Sequence, residues 1–217
     1  MTQADGSHGG GLTSLRHGST DSKAVEAYYD DWAATYDKTL ADWRYQAPAE
    51  AAERLAGLLE DGALMLDVGC GTGLFGKAMR KARTVNLTGI DISSASLDLA
   101  EREGVYNRLD RVDLQATPLP FETNAMDAAA SIGVMTYIED PYALLADLAR
   151  IVRAGGPIYF TQRDDMWAHK DFDAILARLA ERSITDPAAV SEPRPYLPAN
   201  EEFGDEVMVR HVLLTVR

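Results

Sequence analysis

The sequence predicts a single α/β domain built on a doubly wound, mostly parallel β-sheet. Short apolar segments alternate with amphipathic segments along most of the chain, the order expected of a parallel sheet with helices on both faces. Three alternating glycines, Gly69, Gly71 and Gly73, follow the first of these apolar segments. A chain of 217 residues with 46% hydrophobic residues is long enough to bury one core.

Two helices are predicted ahead of the first strand. Residues 1–20 are rich in Gly, Ser and Thr without any period, which is typical of a flexible tail. Residues 22–39 carry apolar and aromatic side chains at helical spacing, and a second helical segment covers residues 48–59. We therefore assign residues 21–217 to one domain, with residues 21–47 as its N-terminal part.

The remaining elements alternate between strand and helix. Apolar runs without helical period predict strands at residues 63–68, 85–91, 111–115, 126–132 and 158–162. Helices are predicted at residues 74–83, 93–103, 141–153 and 171–181. The final segment, residues 206–217, alternates polar and apolar side chains, which predicts an antiparallel strand at the end of the sheet.

Charge and cysteine content exclude several classes of protein. The chain has 21 basic and 34 acidic residues, so its net charge of −13 leaves no broad basic surface for nucleic acid. Cys70 is the single cysteine, and no apolar stretch approaches the ~20 residues of a membrane span. These features predict a cytoplasmic protein with no membrane segment and no metal site, either a monomer or a homodimer.

The glycine turn is compatible with two classes of ligand. Gly71, Gly73 and Gly76 match the GxGxxG pattern of dinucleotide-binding domains, and Asp91 lies twenty residues after Gly71. Asp67, however, ends the preceding strand, and a carboxylate beside a pyrophosphate is repulsive. An acid at this position suits a ligand with sulfonium and ammonium groups, namely S-adenosylmethionine (AdoMet), and glycines let the backbone approach it closely.

The same segment resembles a known family. LDVGCGTG at residues 66–73 resembles the first motif of class I methyltransferases, and GID at residues 89–91 resembles the acid after their second strand. A narrower resemblance is to the methyltransferase-like proteins of the Williams-Beuren region and their bacterial relatives. It rests on YDDWAATYD at residues 29–37, RYQAP at residues 44–48 and YFTQR at residues 159–163. The resemblance implies a Rossmann-like fold, AdoMet as cofactor and methyltransferase activity.

The resemblance also implies roles for individual residues. Asp91 would accept hydrogen bonds from both ribose hydroxyls, Asp113 and Leu114 would face the adenine, and Ile132 would lie under the methionine part. The N-terminal helix of related enzymes folds over the cofactor as a lid, which here corresponds to residues 21–47. The predicted cofactor-binding residues are Tyr29, Tyr36, Asp67, Gly69, Gly71, Gly73, Asp91, Ile92, Asp113, Leu114 and Ile132.

Candidates for the acceptor side come from the ends of the fourth and fifth strands and from the first helix. Thr136 and Tyr137 stand where many relatives carry histidines, so a histidine base is missing at this place. Tyr137 and Asp37 are candidate catalytic residues, and Trp32, Thr136 and Arg163 are candidate substrate-binding residues. The aromatic spacing of Trp32 also suits core packing, and Arg163 also suits a surface ion pair.

These observations predict a methyltransferase that acts on a small-molecule oxygen, nitrogen or carbon acceptor. In-line displacement at a sulfonium depends mainly on alignment and desolvation, so it requires no covalent intermediate on the protein. Two alternatives stay open at this point. An NAD(P)-dependent oxidoreductase would account for the GxGxxG match, and a non-catalytic AdoMet-binding module would account for the missing histidine.

Overall fold

The computed structural model describes residues 19–201 and 206–217, and these residues form a mixed β-sheet with helices on both faces. Residues 1–18 of the predicted tail lie outside the described residues. The strands are β1 (Leu64–Val68), β2 (Asn86–Asp91), β3 (Arg108–Arg111), β4 (Ala128–Ser131), β5 (Pro157–Arg163), β6 (Ala189–Val190), β7 (Arg194–Pro195) and β8 (Met208–Thr215).

The described helices connect these strands or precede them. A short 3-10 turn, Met135–Tyr137, follows β4. Within the described residues, no helix has the length and apolar character needed to cross a membrane. The α-helices are α1 (Ser22–Asp42), α2 (Ala47–Ala56), α3 (Leu74–Ala82), α4 (Ser94–Arg102), α5 (Pro141–Ile151), α6 (Asp164–Trp167) and α7 (Phe172–Glu181).

The sheet has the strand order β3-β2-β1-β4-β5-β8-β6, and β7 also pairs with β8. The five strands from β3 to β5 run parallel, whereas β8 pairs antiparallel with β5, as the sequence predicted. β2 and β3 lie on one side of β1, and β4 and β5 lie on the other. The strand order therefore reverses between β1 and β4. In open α/β sheets this reversal creates a crevice at the carboxyl ends of the strands, where ligands bind.

Burial explains why β1 can stand at the centre of the sheet. Met65 and Leu66 point to opposite faces, and neither is exposed. Met65 packs with Phe75 of α3, whereas Leu66 packs on the other face with Leu144 of α5. Both faces of the central strands are therefore covered, as a parallel sheet requires.

The structure corrects several predicted element positions. β3 spans Arg108–Arg111, not residues 111–115, and α2 ends at Ala56 instead of residue 59. α1 extends to Asp42, beyond the predicted residue 39, where the backbone N–H of Trp43 bonds to the last helical carbonyls. The short elements α6, β6 and β7 were not predicted, because segments of two to four residues carry too little pattern to identify.

Candidate functional site

Two adjoining cavities lie in the crevice at the carboxyl ends of the parallel strands. We call the one beneath α1 the main cavity and the one behind the glycine turn the side cavity. Tyr36, Gly69, Gly71 and Ile132 line both, so the two cavities share a wall. The other residues of the main cavity are Ser22, Val25, Tyr29, Asp91, Ile92, Asp113, Leu114, Gln115, Gly133, Val134, Tyr137 and Ile138. Those of the side cavity are Tyr45, Pro48, Asp67, Cys70, Thr72, Leu74 and Phe75.

Asp91 lies at the end of β2 and forms part of the main cavity wall. Its Oδ2 accepts a hydrogen bond from the Gly71 backbone N–H at 2.8 Å, and its Oδ1 accepts one from Ser93 N–H at 2.9 Å. Burial raises the pKa of Asp91, while these N–H groups favour its ionised form. Each carboxylate oxygen retains acceptor capacity, so a diol in the cavity could donate to both. Ser93 caps α4 instead, by accepting from Ser96 N–H, as the sequence predicted.

The glycine turn brings the backbone against both cavities. Gly69 has a φ of 72°, and a Cβ there would lie 2.4 Å from Val134 Cγ2, so only glycine fits without displacing the loop after β4. Gly71 also lines both cavities. Gly73 lines neither; it is the N-cap of α3, and a Cβ there would lie 3.2 Å from Tyr106. In this structure Gly73 therefore starts α3 and packs against Tyr106, and its contact with the cofactor stays a prediction.

Asp67 faces the side cavity, not the main one. Its side chain lies in β1 and the residue is 1% exposed. The Tyr106 hydroxyl donates a hydrogen bond to its Oδ2 at 2.7 Å. Burial raises the pKa of Asp67 to about 7; the bond from Tyr106 opposes this rise and the nearby Asp91 adds to it. Near neutrality this carboxylate is poised to gain from a cationic partner.

The loop after β3 forms another part of the main cavity wall. Asp113, Leu114 and Gln115 line the main cavity, and Asp113 Oδ1 accepts from Gln115 N–H at 3.0 Å. The Gln115 amide nitrogen donates to the Tyr137 carbonyl at 2.8 Å and to the Thr20 carbonyl at 3.0 Å. Gln115 therefore joins this loop to the turn after β4 and to the chain ahead of α1. The sequence contains no signal for this role, because glutamine carries no motif at that position.

Helix α1 covers the crevice with aromatic side chains. Tyr29 and Tyr36, two of the predicted cofactor-binding residues, line the main cavity, with ring centroids 6.0 Å apart. Tyr29 also makes an edge contact with Tyr137, their centroids 5.7 Å apart. Trp32 does not line the cavity; it packs with Tyr36 and Trp43 in a separate apolar cluster. The packing interpretation of Trp32 therefore fits its position better than the predicted substrate contact.

Acidic side chains on α1 fasten it over the crevice. Asp37 accepts from the Thr72 hydroxyl and from Lys77 Nζ, the latter at 2.7 Å from Oδ2. Asp30, about two turns earlier, accepts from the Ser93 hydroxyl at 2.5 Å. Asp37 lines neither cavity, and both of its oxygens are engaged. In this structure Asp37 therefore fastens α1, and its role as a catalytic residue stays a prediction.

The acceptor-side candidates differ in position. Tyr137 lines the main cavity, but burial raises its pKa, although Tyr29 and Arg163 oppose the rise. It is therefore a neutral phenol near pH 7, which suits a hydrogen-bond donor better than a base. The Thr136 hydroxyl donates to Gln162 Oε1 at 3.1 Å. Arg163 forms a two-pronged ion pair with Asp165, with Nε to Oδ1 at 3.0 Å. Neither Thr136 nor Arg163 lines either cavity, so their predicted substrate contacts are not formed there.

Comparisons with known proteins agree with this geometry. A family model described as a methyltransferase domain matches residues 66–160, which run from β1 into β5. Methyltransferase-like protein 27 of Homo sapiens is 33% identical over 188 residues, which cover 81% of this chain and 76% of that protein. The malonyl-[acyl-carrier protein] O-methyltransferase of Serratia marcescens is 33% identical over 141 residues, covering 64% of this chain and 52% of its own length.

The fold has counterparts among solved structures. One is a chain of a solved structure described as the complex between the Haloferax volcanii Trm112 methyltransferase activator and the putative methyltransferase. It matches this chain with a TM-score of 0.63 at 20% identity. The match covers 87% of this chain and 97% of that chain. At this identity the likeness shows the fold alone, a Rossmann-like methyltransferase sheet. The family assignment replaces the oxidoreductase alternative that the GxGxxG match had left open. The chain belongs to the class I AdoMet-dependent methyltransferases.

Proposed function

We propose that this protein transfers the methyl group of AdoMet to an oxygen, nitrogen or carbon atom of a small-molecule acceptor. In the proposed arrangement the ribose hydroxyls donate to Asp91 and the adenine lies between Ile92 and Leu114, near Asp113. The ammonium group of the methionine part reaches Asp67 through the side cavity. The cofactor thus extends from the main cavity into the side cavity along the glycine turn.

The observation that carries this proposal is the pair of carboxylates at the ends of adjacent strands. Asp91 faces the main cavity and Asp67 faces the side cavity, and Gly69 and Gly71 line both. Among the described residues that line the two cavities there is no lysine, arginine or histidine. Such a surface favours a cationic ligand with a diol over a pyrophosphate.

We further propose that α1 moves when the cofactor binds. The main cavity has a volume of about 80 Å³ and the side cavity about 30 Å³, whereas small-molecule sites typically have several hundred Å³. α1 is held over the crevice by polar contacts of Asp30 and Asp37, which can break in water at modest cost. Outward movement of α1 would open the crevice, and its return would exclude water from the reacting groups.

The chain's own contribution to the reaction is alignment and desolvation. The bound sulfonium supplies an electrophilic methyl group whose leaving group departs uncharged. Tyr29, Tyr36 and Tyr137 give the main cavity an aromatic wall, and burial raises the pKa of each. These phenols stay protonated near neutral pH, so they orient an acceptor and do not remove its proton. The proton that an O–H, N–H or C–H acceptor loses passes to solvent water.

The small-molecule assignment is supported by the narrow crevice. A folded protein surface is too broad to enter the narrow crevice beneath α1, whereas a small acceptor needs only the opening that admits the cofactor. The relative from Serratia marcescens is an O-methyltransferase, which favours an oxygen acceptor among the three atoms proposed.

Calorimetric titration with AdoMet and S-adenosylhomocysteine tests the cofactor arrangement. We expect both ligands to bind the wild type, and Asp91→Ala to lose about 100-fold or more in affinity, since two hydrogen bonds to a carboxylate disappear. Asp98→Asn, an exposed acid on α4, serves as the control and should bind like the wild type. A screen of small acceptors with AdoMet carrying a labelled methyl group follows. Binding without turnover of any acceptor class would favour the non-catalytic module.

A further inference from the structure

Tyr106 lies in the connection between α4 and β3, outside every motif that identified the site. Its hydroxyl donates to Asp67 Oδ2 at 2.7 Å, and this is the hydrogen bond that the Asp67 side chain makes in the described structure. Tyr106 lines neither the main cavity nor the side cavity. It therefore reaches the site from behind, through its hydrogen bond to Asp67.

Glycines make room for the Tyr106 ring behind the turn. A Cβ on Gly76 would lie 2.5 Å from both Cζ and Oη of Tyr106, and one on Gly89 would lie 2.9 Å from Cε1. Gly73 contacts the same ring, with its Cβ position 3.2 Å from Cε2. Real Cβ atoms do not approach another heavy atom to 2.5 or 2.9 Å. Position 76 of α3 and position 89 of β2 can therefore carry only glycine while the Tyr106 ring stays in place. The third glycine of the GxGxxG match thus accommodates the Tyr106 ring behind the turn.

We propose that Tyr106 is a positioning residue that holds the Asp67 carboxylate in place to receive the ammonium group of AdoMet. This inference rests on the cofactor arrangement proposed above. A buried carboxylate with two rotatable bonds could otherwise turn away from the side cavity or take up a proton. The phenol fixes one oxygen and leaves the other for the ligand, because a carboxylate can accept at both oxygens.

The charges around Asp67 favour such a role. Asp91 from β2 disfavours the ionised form of Asp67, and the pKa of the Cys70 thiol is raised well above its usual value by burial, so Cys70 adds no charge near neutrality. Tyr36 of α1 and Tyr45 share the side cavity as neutral phenols, because burial raises the pKa of each. The Tyr106 hydroxyl is then the group that stabilises the carboxylate before a ligand arrives.

The test compares Tyr106→Phe with the wild type by calorimetry, using AdoMet and 5′-methylthioadenosine, which shares the adenosine part but has no ammonium group. We expect AdoMet affinity to fall about tenfold near neutral pH, the cost of one hydrogen bond to a charged group. The difference in AdoMet affinity between Tyr106→Phe and the wild type should shrink as the pH rises, because Asp67 then ionises without the hydrogen bond from Tyr106. Affinity for 5′-methylthioadenosine should stay within about twofold.

Tyr159→Phe is the matched control, because Tyr159 also donates or accepts one buried hydrogen bond, with His211 Nδ1 at 2.9 Å, and lines neither cavity. It should leave both affinities unchanged. Gly76→Ala provides a second variant, since its Cβ displaces the same hydroxyl, and should repeat the selective loss of AdoMet affinity. A carbon-13 titration of the Asp67 carboxyl without cofactor should show a higher midpoint in Tyr106→Phe than in the wild type.

The outcomes separate the two proposals. If the wild type binds no AdoMet, the cofactor arrangement fails, and the inference about Tyr106 fails with it. If the wild type binds AdoMet but Tyr106→Phe binds it equally well at every pH, only the inference is overturned. Equal losses for AdoMet and 5′-methylthioadenosine would also overturn it, because they would indicate a general structural role.

Discussion

The two sides of the crevice use their polar groups differently. On the proposed cofactor side, at the ends of β1 and β2, Asp67 is buried and Asp91 half-buried, and their partners are a phenol and backbone N–H groups. On the acceptor side, at the ends of β4 and β5, Thr136 bonds to Gln162 and Arg163 to Asp165. The proposed cofactor side thus keeps carboxylates available to a ligand. On the proposed acceptor side the hydroxyl and the guanidinium are bonded to neighbouring side chains, and the buried Gln162 Nε2 has no hydrogen-bond partner among the described residues.

This contrast explains why the cofactor could be identified and the acceptor could not. A cationic ligand with a diol needs acids at fixed positions, and those acids show in the sequence beside the glycines. The acceptor side presents mainly aromatic and apolar surface to the cavity, such as Ile132, Val134 and Tyr137. Such surface is compatible with many small acceptors.

The largest effect is expected in the pH dependence of stability, because ionisation of the buried Asp67 carboxyl destabilises the folded protein. Burial raises the pKa of Asp67 to about 7, well above the ~3.9 of an unfolded aspartate. The protonated Asp67 carboxyl therefore contributes its full share to the free energy of unfolding below about pH 4. This contribution is lost as the pH rises through 7. We expect the free energy of unfolding of the wild type, relative to Asp67→Asn, to fall by about 4 kcal/mol over that window.

Urea denaturation of cofactor-free protein at a series of pH values measures this difference. The exposed Asp98→Asn variant should instead run parallel to the wild type. If the Asp67→Asn and wild-type curves were also parallel, the carboxylate would already be ionised at acid pH, and the contrast between the two sides would lose its main support.

A second prediction concerns Gly69, where the two sides touch. Its φ of 72° and the 2.4 Å from its Cβ position to Val134 should cost Gly69→Ala about 3 kcal/mol of stability. Gly71 has a φ of 52°, but nothing lies within 4 Å of its Cβ position, so Gly71→Ala should lose about 1 kcal/mol. Val134→Ala in the Gly69→Ala background should restore part of the loss. Equal losses in the two glycine variants, measured by denaturation, would argue against close contact between the sides.

A third prediction addresses the proposed acceptor side. Thr136→Val removes the hydroxyl that bonds to Gln162, and both residues are buried. Stability should fall by about 1 kcal/mol, the usual net value of one hydrogen bond. AdoMet affinity should remain within about twofold of the wild type, because Thr136 lines neither cavity. A clear loss of AdoMet affinity in calorimetry would mean that the two sides are coupled more tightly than their contacts indicate.

The smallest effect is expected at the fastening of α1. Asp37→Asn weakens the contact with Lys77. The side chain of Asp37 is 38% exposed and that of Lys77 is 26% exposed. AdoMet affinity should fall only about threefold, and the difference should shrink at high salt, as for other exposed ion pairs. Asp42→Asn on the same helix removes a more exposed pair with Lys38 and should change nothing. An identical loss in both variants would show that the helix, and not the contact at Asp37, is responsible.

Much of the cofactor side followed from local pattern. The strands β1 and β2, the glycine turn and the acids Asp67 and Asp91 lie within 28 consecutive positions of one strand–turn–helix–strand unit, residues 64–91. The edge strand β3 was placed several residues too late, because Val112 and Leu114 offered an apolar pattern that Arg108–Arg111 lacks. Its position is set by pairing with β2, in which Thr88 lies beside Arg108.

The sequence by itself determined the fold class, the family and the position of the acids at the strand ends, because these depend on periodicity and on residue types close together in the chain. Only the tertiary structure decided which side chains reach the crevice. It placed Tyr106 behind Asp67 and Gln115 between two loops, and it turned Trp32 and Asp37 away from the cavities. Such contacts join residues far apart in sequence, and they depend on how helices and loops pack across the sheet, which no local pattern records.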